Sequence, residues 1–375
     1  MTAAADVVIV GGGIAGASLA YFLGTHGGAH VVLLEREPQP GMHATGRSAA
    51  VLAEIDAVPA LLELKAAGGR FLRDPPPDFC ETPLLERSGL LVLLRDAFWE
   101  LLRAGMDDLR ALGVTGDLLD TAAAQRRVPV LRAERYDGAL WLPEDGRLDV
   151  HALLSSYLRH ARTRGTVTHW CAEVAAIVRD GARCTGVRTA AGDVVRARWI
   201  VNAAGAWAAD VGRLADATPI ALVPHRRTIA LFDPPAGVPV QGWPFVSCDQ
   251  DGVYFAPESG GLLVSPMDEE PMAPHDVRPD ERQIAEAFDR LGRVAPALVP
   301  RHVRRAWAGL RTFAPDRVPV VGEDPRRPGF FWLAGQGGCG IETSPVLGRV
   351  AADLIATGRT SAFDATRLSL ARFHP

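Results

Sequence analysis

The pattern of apolar and polar positions at the amino terminus predicts a βαβ unit. Val7 to Val10 form a short β-branched run, which is typical of a buried parallel strand. A glycine-rich turn follows at residues 11–16, and apolar residues then recur at helical spacing from Ile14 to Gly24. A second apolar run, His30 to Leu34, predicts another strand and ends in Glu35. A strand, a helix and a parallel strand in this order indicate a sheet covered by helices.

Further along the chain the pattern predicts elements of two kinds. Helices are expected at residues 59–72, 98–112, 150–164, 282–294 and about 344–356, and buried strands at 90–94, 199–202 and 330–334. Residues 174–179, 184–189 and 193–197 predict a small antiparallel meander. From Ile220 to Met267 short strands alternate with Pro and Gly turns, which is typical of a separate sheet rather than of βαβ repeats.

The turn from Gly11 to Gly16 has the spacing of a dinucleotide-binding motif. Glycines at the first, third and sixth positions permit a tight turn, close approach of a pyrophosphate, and close packing of helix on strand. Glu35 follows about 20 residues later, where an acid would bind an unphosphorylated ribose, so FAD or NAD fits better than NADP. Further glycine-rich turns at Gly205 and at 335–340 also follow predicted strands and favour the longer cofactor, FAD. This context disfavours a glycine turn without a ligand.

The sequence therefore predicts a mixed α/β (α+β) fold in which a Rossmann-like FAD-binding domain carries an inserted antiparallel-sheet substrate domain. A chain of 375 residues favours two joined domains. We expect the FAD-binding domain to comprise residues 1–88, 143–219 and 312–375, and the substrate domain to comprise residues 89–142 and 220–311.

The composition of the chain limits the kinds of partner that it is expected to bind. The formal net charge is −4 without a basic stripe, which argues against nucleic acid. The five cysteines contain no C-x-x-C pair and indicate a reducing compartment, and no stretch has the length of a membrane span. The apolar start is interrupted and lacks the pattern of a signal peptide, so we expect a cytoplasmic protein. We also expect no metal site. Lys65 is the only lysine.

The chain resembles the FAD-dependent amino-acid oxidase and dehydrogenase family, and within it bacterial D-arginine dehydrogenase most. The resemblance covers nearly the whole chain and is carried by residues 41–50, 79–81, 202–207, 224–227, 307–311 and 335–343. It implies an enzyme that oxidises the Cα–N bond of an amino acid, in the D series, by hydride transfer from Cα to flavin N5. The imino acid product would hydrolyse to a 2-oxo acid and ammonia.

The resemblance implies non-covalent FAD and a set of cofactor-binding residues. These are Gly11, Gly13, Ile14, Ala15, Gly16, Glu35, Arg36, Thr45, Arg47, Ser48, Ala49, Ala50, Val51, Val174, Ala204, Gly205, Trp207, Gly309, Gly335, Gly337, Gly338, Gly340, Ile341, Glu342 and Thr343. Thr45 and Ser48 have ordinary turn capping as an alternative role. A helix amino terminus after Gly338 would stabilise negative charge on the reduced flavin.

Arg227 and Arg311 match the family's clamp for the substrate carboxylate, and Tyr254 matches its phenolic partner. A guanidinium binds a carboxylate through two parallel hydrogen bonds and so fixes the orientation of the substrate. The implied pocket consists of Val51, Asp56, Leu90, Phe245, Ser247, Gly338, Ile341 and Glu342. Structural ion pairs remain an alternative for the arginines, Arg226 could replace Arg227, and His43 and His225 are more simply structural than acid–base groups.

The departures from D-arginine dehydrogenase concern the substrate side chain. Leu90 replaces a carboxylate that meets the substrate guanidinium, which predicts a pocket for apolar or compact side chains, although Asp56 or Glu342 could attract a cation. Some oxidases of the family use a lysine near the flavin to promote its reaction with O2. Lys65 is predicted to lie on a surface helix away from the site, which favours a dehydrogenase that reduces a quinone or another acceptor over an oxidase that reduces O2. The substrate could instead be a 2-hydroxy acid, a cyclic imino acid or an N-substituted amine in a biosynthetic pathway. A non-catalytic binding module is a further alternative.

Overall fold

The computed structural model describes residues 2–373 and divides them among short strands and helices. The helices are α1 Ile14–His26, α2 Pro59–Arg73, α3 Asp96–Ala111, α4 Thr121–Arg127, α5 Val150–Thr163, α6 Ala208–Ala215, α7 Glu281–Val294 and α8 Gly340–Thr357. The strands are β1 Thr2–Val10, β2 Val31–Leu34, β3 Val51–Leu52, β4 Leu85–Glu86, β5 Leu90–Leu94, β6 Asp117–Leu119, β7 Gly138–Leu142, β8 Gly146–Leu148, β9 Val167–His169, β10 Val174–Asp180, β11 Arg183–Thr189, β12 Val194–Asn202, β13 Val223–Phe232, β14 Phe245–Cys248, β15 Val253–Glu258, β16 Gly261–Ser265, β17 Arg305–Phe313, β18 Val320–Glu323 and β19 Phe330–Ala334.

The first sheet has the order β10-β11-β12-β1-β2-β9, with β19 also paired to β12 and β18 to β19. β1 is parallel to both β2 and β12, and β12 is parallel to β19. Val8 and Ile9 are fully buried because helices and strands cover both faces of β1. The dinucleotide turn and the loop after β19 therefore leave the same edge of the sheet, where parallel strands end.

The second sheet has the order β17-β13-β16-β15-β14-β5-β7-β6, and its pairs are antiparallel except for β14 with β5. A third, three-stranded sheet joins β3, β8 and β4. The α/β fold class predicted from the sequence is confirmed. The domain division stays a prediction. Residues 90–142 and 223–313 supply the strands of the second sheet, and residues 2–34, 167–202 and 320–334 supply those of the first.

The structure corrects two predicted elements. The strands expected at 193–197 and 199–202 are one continuous strand, β12, because it pairs with β1 over nearly its whole length. Helix α8 begins at Gly340 rather than near Ser344. Pro345 lies in its second turn and has no N–H to donate to the carbonyl oxygen of Ile341, which accepts from the Ser344 hydroxyl instead. None of the helices within residues 2–373 has the length and apolar character needed to cross a bilayer.

A buried charged cluster fastens the loop after β3. Arg73 of α2 donates to both carboxylate oxygens of Glu54, at 2.7 and 2.8 Å. The backbone N–H of Glu54 donates to Asp145 Oδ2 at 2.8 Å, while Asp145 Oδ1 has no hydrogen-bond partner among the described residues. Burial raises the pKa of Asp145 well above its usual range, and the neighbouring charge of Glu54 raises it further.

We predict that Asp145→Asn changes the pH dependence of stability. A carboxyl group whose pKa is raised by folding stabilises the folded state fully below its unfolded pKa of about 3.9, and this contribution is lost as the pH rises towards the folded pKa. Asparagine keeps the acceptor for Glu54 and does not titrate. The melting temperature of the variant relative to wild type should therefore increase from pH 4 to pH 8. Asp233→Asn, at an exposed aspartate, should show no such trend, and a constant difference for Asp145→Asn would contradict the prediction.

Candidate active site

The dinucleotide turn is built by close backbone contacts. Gly11 has a positive φ of 114°, and a Cβ there would lie 2.4 Å from the carbonyl oxygen of Ala203. The buried carboxylate of Glu35 accepts hydrogen bonds from the N–H groups of Gly12 at 2.7 Å and Glu37 at 2.9 Å. The acid at the end of β2 is therefore held rigidly beside the amino terminus of α1, which is a site suited to a ribose and a phosphate.

A cavity of about 450 Å³ extends from this turn to the second sheet. Eleven of the predicted cofactor residues line it: Gly11, Gly13, Glu35, Arg36, Thr45, Arg47, Val174, Ala204, Gly205, Trp207 and Gly309. Arg36 lies over the Trp207 ring, 4.6 Å from its centroid, at the same end as Val174. A long cavity between a glycine turn, a fixed acid and aromatic or aliphatic walls fits an extended dinucleotide.

The loop from Gly41 to Ala50 forms one wall of this cavity and is held by its own side chains. Arg47 donates to the carbonyl oxygens of Met42, Val277 and Ala308 at 3.1–3.2 Å and pairs with Asp276. Ser48 accepts from the N–H of Ala50, and Thr45 accepts from the N–H of Ile14. These three side chains therefore shape the loop, and its backbone remains available to a cofactor.

The loop from Gly335 to Thr343 lies outside the 450 Å³ cavity and meets the second sheet. The N–H of Gly337 donates to the carbonyl oxygen of Thr312 at 2.8 Å, which joins this loop to β17. The first turn of α8 packs on α2, since a Cβ at Gly68 would lie 2.0 Å from the carbonyl oxygen of Glu342. The flavin-loop residues predicted from the sequence, Gly335, Gly337, Gly338, Gly340, Ile341, Glu342 and Thr343, are thus brought together between both sheets.

The predicted clamp lies on two neighbouring antiparallel strands. His225 of β13 is opposite Arg311 of β17, and Arg227 is opposite Gly309, so the two arginines share one face. Arg311 lies deep in the molecule, although 27% of its side chain is accessible. Burial and the nearby charge of Arg227 lower its pKa to about 10, which leaves the guanidinium charged at neutral pH. Two guanidinium groups on one face of the sheet can bind one anion together.

A carboxylate of the chain itself approaches the clamp. Glu269 Oε1 lies 3.2 Å from Nη2 of Arg227 and 3.7 Å from Nη1 of Arg311, and Arg317 donates to both of its oxygens. Burial alone would raise the pKa of Glu269, but the hydrogen bonds from Arg317 and the charges of Arg227 and Arg311 lower it. No sequence pattern pointed to Glu269 or Arg317, because both belong to irregular segments.

Arg226 does not exchange roles with Arg227. The Arg226 side chain points to the opposite face of β13 and binds the carboxylates of Asp268, Glu270 and Asp280. Asp268 also accepts from the N–H and hydroxyl of Thr228. Arg226 therefore fastens the segment after β16 and is not available to a substrate.

Tyr254 and the apolar residues of the predicted pocket form a wall next to the clamp. The Tyr254 ring lies 5.0 Å from the Phe245 ring, and Phe245 is opposite Leu90 in the pairing of β14 with β5. Leu90, Phe245 and Tyr254 belong to one buried cluster that Val51 also contacts. The Ser247 hydroxyl donates to Asp249, so it is engaged outside this wall.

The prediction that Lys65 lies on the surface away from the site is wrong. Lys65 is only 8% exposed, and its ammonium lies 2.9 Å from Asp56, 3.3 Å from Glu342 and 3.0 Å from the carbonyl oxygen of Ile55. The helix turns this face inward because Gly68, one turn later, packs directly on α8. Consecutive glycines within a predicted helix were the available signal for such close packing. The argument from Lys65 to a dehydrogenase therefore loses its basis.

The fold and the site together define an oxidoreductase that holds a dinucleotide beside an anion-binding pocket. The chain belongs to the FAD dependent oxidoreductase (DAO) family, whose sequence profile matches residues 6–354, and it is an FAD-dependent enzyme. Gly11, Glu35 and the cavity described above fit this cofactor.

Individual relatives span the whole chain. Glycine oxidase of Geobacillus kaustophilus is 28% identical over 385 residues, covering 99% of this chain and 98% of the relative. Its crystal structure superposes with a TM-score of 0.83 at 25% identity, covering 99% of each chain. L-proline dehydrogenase from P. horikoshii has the same fold, with a TM-score of 0.89 at 23% identity, covering 100% of this chain and 99% of that one.

We predict that Gly338→Ala displaces the clamp. A Cβ at residue 338 would lie 1.5 Å from Nη2 and 2.2 Å from Cζ of Arg311, so the guanidinium has to move. The dissociation constant of a carboxylate ligand, measured from its perturbation of the flavin absorbance, should rise at least about tenfold, equivalent to about 1.4 kcal/mol. Gly105→Ala, in α3 with no atom within 4 Å of the new Cβ, is the matched control. Unchanged affinity in Gly338→Ala would show that Arg311 is not the carboxylate partner.

We predict that Lys65→Met destabilises the fold by about 3–5 kcal/mol, because it leaves Asp56 and Glu342 buried without their cation. Burial already raises the pKa of Glu342, and Lys65 opposes that rise. The double variant Lys65→Met/Glu342→Gln should regain part of the loss in chemical denaturation. A Lys65→Met protein as stable as wild type would mean that the lysine does not compensate these carboxylates.

Proposed function

We propose that the protein oxidises the Cα–N bond of an amino acid with an uncharged side chain, in the D series. The imino acid formed would hydrolyse to a 2-oxo acid and ammonia. The observation that carries the proposal is the buried pair Arg227 and Arg311 beside the glycine loop that ends β19. The relatives named glycine oxidase and L-proline dehydrogenase support amino-acid chemistry, and the D series follows from the resemblance described above.

In this proposal the chain contributes binding and orientation. Arg311 and Arg227 bind the substrate carboxylate, and the Tyr254 hydroxyl, which has no hydrogen-bond partner among residues 2–373, completes the contact. FAD, when bound, accepts the two electrons released from the Cα–H bond. His43 and His225 each have one ring nitrogen engaged, with Glu37 and with the carbonyl oxygen of Val223, and neither is assigned as the base, so the substrate amine enters neutral or loses its proton to water.

The charges around the pocket support an uncharged side chain. Leu90 is 1% exposed and lies within an apolar cluster with Phe245 and Tyr254. Asp56 and Glu342, the carboxylates that could have attracted a cation, are both paired with Lys65. A substrate guanidinium or ammonium beside Leu90 would be desolvated among apolar side chains, while the two acids already share the ammonium of Lys65, and this desolvation costs several kcal/mol. The pocket therefore differs from that of D-arginine dehydrogenase, in which a carboxylate meets the substrate guanidinium.

A second candidate is glycine or an N-substituted glycine. The 28% identity to glycine oxidase over nearly the whole of both chains supports it, as does the closely packed wall of Leu90 and Phe245.

For either substrate, FAD would be bound non-covalently in a cytoplasmic enzyme, and either a quinone or O2 would accept the electrons.

The first test is anaerobic bleaching of the flavin absorbance by D- and L-amino acids, glycine, sarcosine, cyclic imino acids and 2-hydroxy acids. We expect D-Leu or D-Phe to bleach the flavin faster than D-Arg or any L-amino acid. A preference for D-Arg would contradict the role given to Leu90 and Lys65. Bleaching by 2-hydroxy acids alone would replace Cα–N by Cα–O oxidation.

The same assay tests the clamp. Arg311→Lys keeps a charge but loses the planar fork that binds both carboxylate oxygens, so kcat/KM should fall by about 100-fold, equivalent to about 2.7 kcal/mol, with FAD still bound. Arg304→Lys makes the same change at an exposed arginine that pairs with Asp233, and should retain wild-type kinetics. Equal kinetics for both variants would remove Arg311 from the substrate site.

A further inference from the structure

A second large cavity lies on the other side of the loop from Gly41 to Ala50. We call this cavity, of about 760 Å³, the outer cleft, and it is lined by Ser48, Ala50, Leu263, Arg278, Arg305 and Trp307 among others. None of these lining residues takes part in the arginine clamp. The outer cleft is larger than the cofactor cavity, and the function proposed above gives it no role.

The outer cleft and the cofactor cavity share a wall. Thr45, Arg47 and Val277 line both cavities. The indole N–H of Trp307, inside the outer cleft, donates to the carbonyl oxygen of Arg47 at 3.1 Å. These three residues therefore form a wall common to both cavities, and an aromatic ring of the outer cleft is hydrogen-bonded directly to that wall.

The lining of the outer cleft suits a planar, electron-poor ring. Trp307 offers an aromatic surface, and Leu231 and Leu263 are apolar and buried. Among the acids of the cleft, Glu86 and Glu258 share Arg147 as their ion-pair partner, and Asp149 accepts from the N–H of Ala152 at the start of α5.

Two exposed arginines at the rim of the outer cleft, Arg278 and Arg305, have no such compensation. The acids near them, Asp276 and Asp233, pair instead with Arg47 and Arg304, and neither rim arginine has an ion-pair partner among residues 2–373. The rim of the outer cleft thus carries two unpaired guanidinium groups, and these favour an acceptor that gains negative charge on reduction.

We propose that the outer cleft binds the electron acceptor, a quinone. The assignment rests on the oxidation proposed above, because that reaction leaves two electrons on the cofactor. The quinone takes up these two electrons and two protons, leaves as the quinol, and returns FAD to its oxidised form. Substrate at the arginine clamp and acceptor in the outer cleft then bind at different places.

The test measures reoxidation alone. The FAD-loaded enzyme is reduced with dithionite under anaerobic conditions and mixed with 1,4-naphthoquinone-2-sulfonate, an anion, or with menadione, which is neutral. We expect Arg278→Gln/Arg305→Gln to lower the second-order rate constant about tenfold for the sulfonate and less for menadione, with the difference shrinking at high salt. Arg305→Trp, which adds a bulky ring over Trp307, should slow both quinones.

The matched control is Arg126→Gln/Arg359→Gln, which removes two exposed arginines outside the cleft. Equal rates in wild type and both cleft variants, or an equal fall in the control, would overturn the assignment. Reoxidation by O2 that is faster than by either quinone would overturn the choice of acceptor. Because dithionite supplies the electrons, an enzyme that no amino acid reduces would refute the proposed function without affecting this test.

Discussion

The arrangement of the site depends on one contact, in which the guanidinium of Arg311 lies against the bare Cα of Gly338. The same segment forms backbone bonds between the sheets, because Gly337 donates to the carbonyl oxygen of Thr312 and Gln336 bridges to Phe313. The carboxylate clamp belongs to the second sheet and the glycine loop to the first. The position of the predicted clamp relative to the glycine loop is therefore fixed within three residues by backbone packing.

Buried charges hold the other segments of the site in place. Arg73 holds Glu54, Lys65 holds Asp56 and Glu342, and Arg226 holds Asp268. Desolvation makes such pairs poor sources of stability, but breaking one leaves an uncompensated charge in the interior. The pairs of Glu54, Asp56 and Asp268 join irregular segments to a helix or strand, and the pair of Glu342 joins α8 to α2, so together they select one conformation of the segments around the pocket.

The sequence predicted the parts of the fold that depend on local periodicity and on glycine chemistry. The predicted strands at residues 90–94 and 330–334 match β5 and β19, and the dinucleotide turn with Glu35 lies where its spacing indicated. The burial of Lys65 was missed because it depends on Glu342, which is distant in sequence and comes near only when α8 packs on α2. The early start of α8 was missed because residues 340–343 carry no helical apolar pattern. The roles of the individual site residues remain predictions.

The burial of the only lysine also determines the chemistry of the surface. Since Lys65 is 8% exposed and ion-paired, no side-chain amine is freely accessible on the part of the chain that the structure describes. Acylating reagents, amine-directed cross-linkers and enzymes that modify lysine would find no reactive side chain there. The cationic surface consists of guanidinium groups, which keep their proton into strongly alkaline solution. Immobilisation or labelling of the native protein therefore has to use other groups, such as the exposed thiol of Cys171.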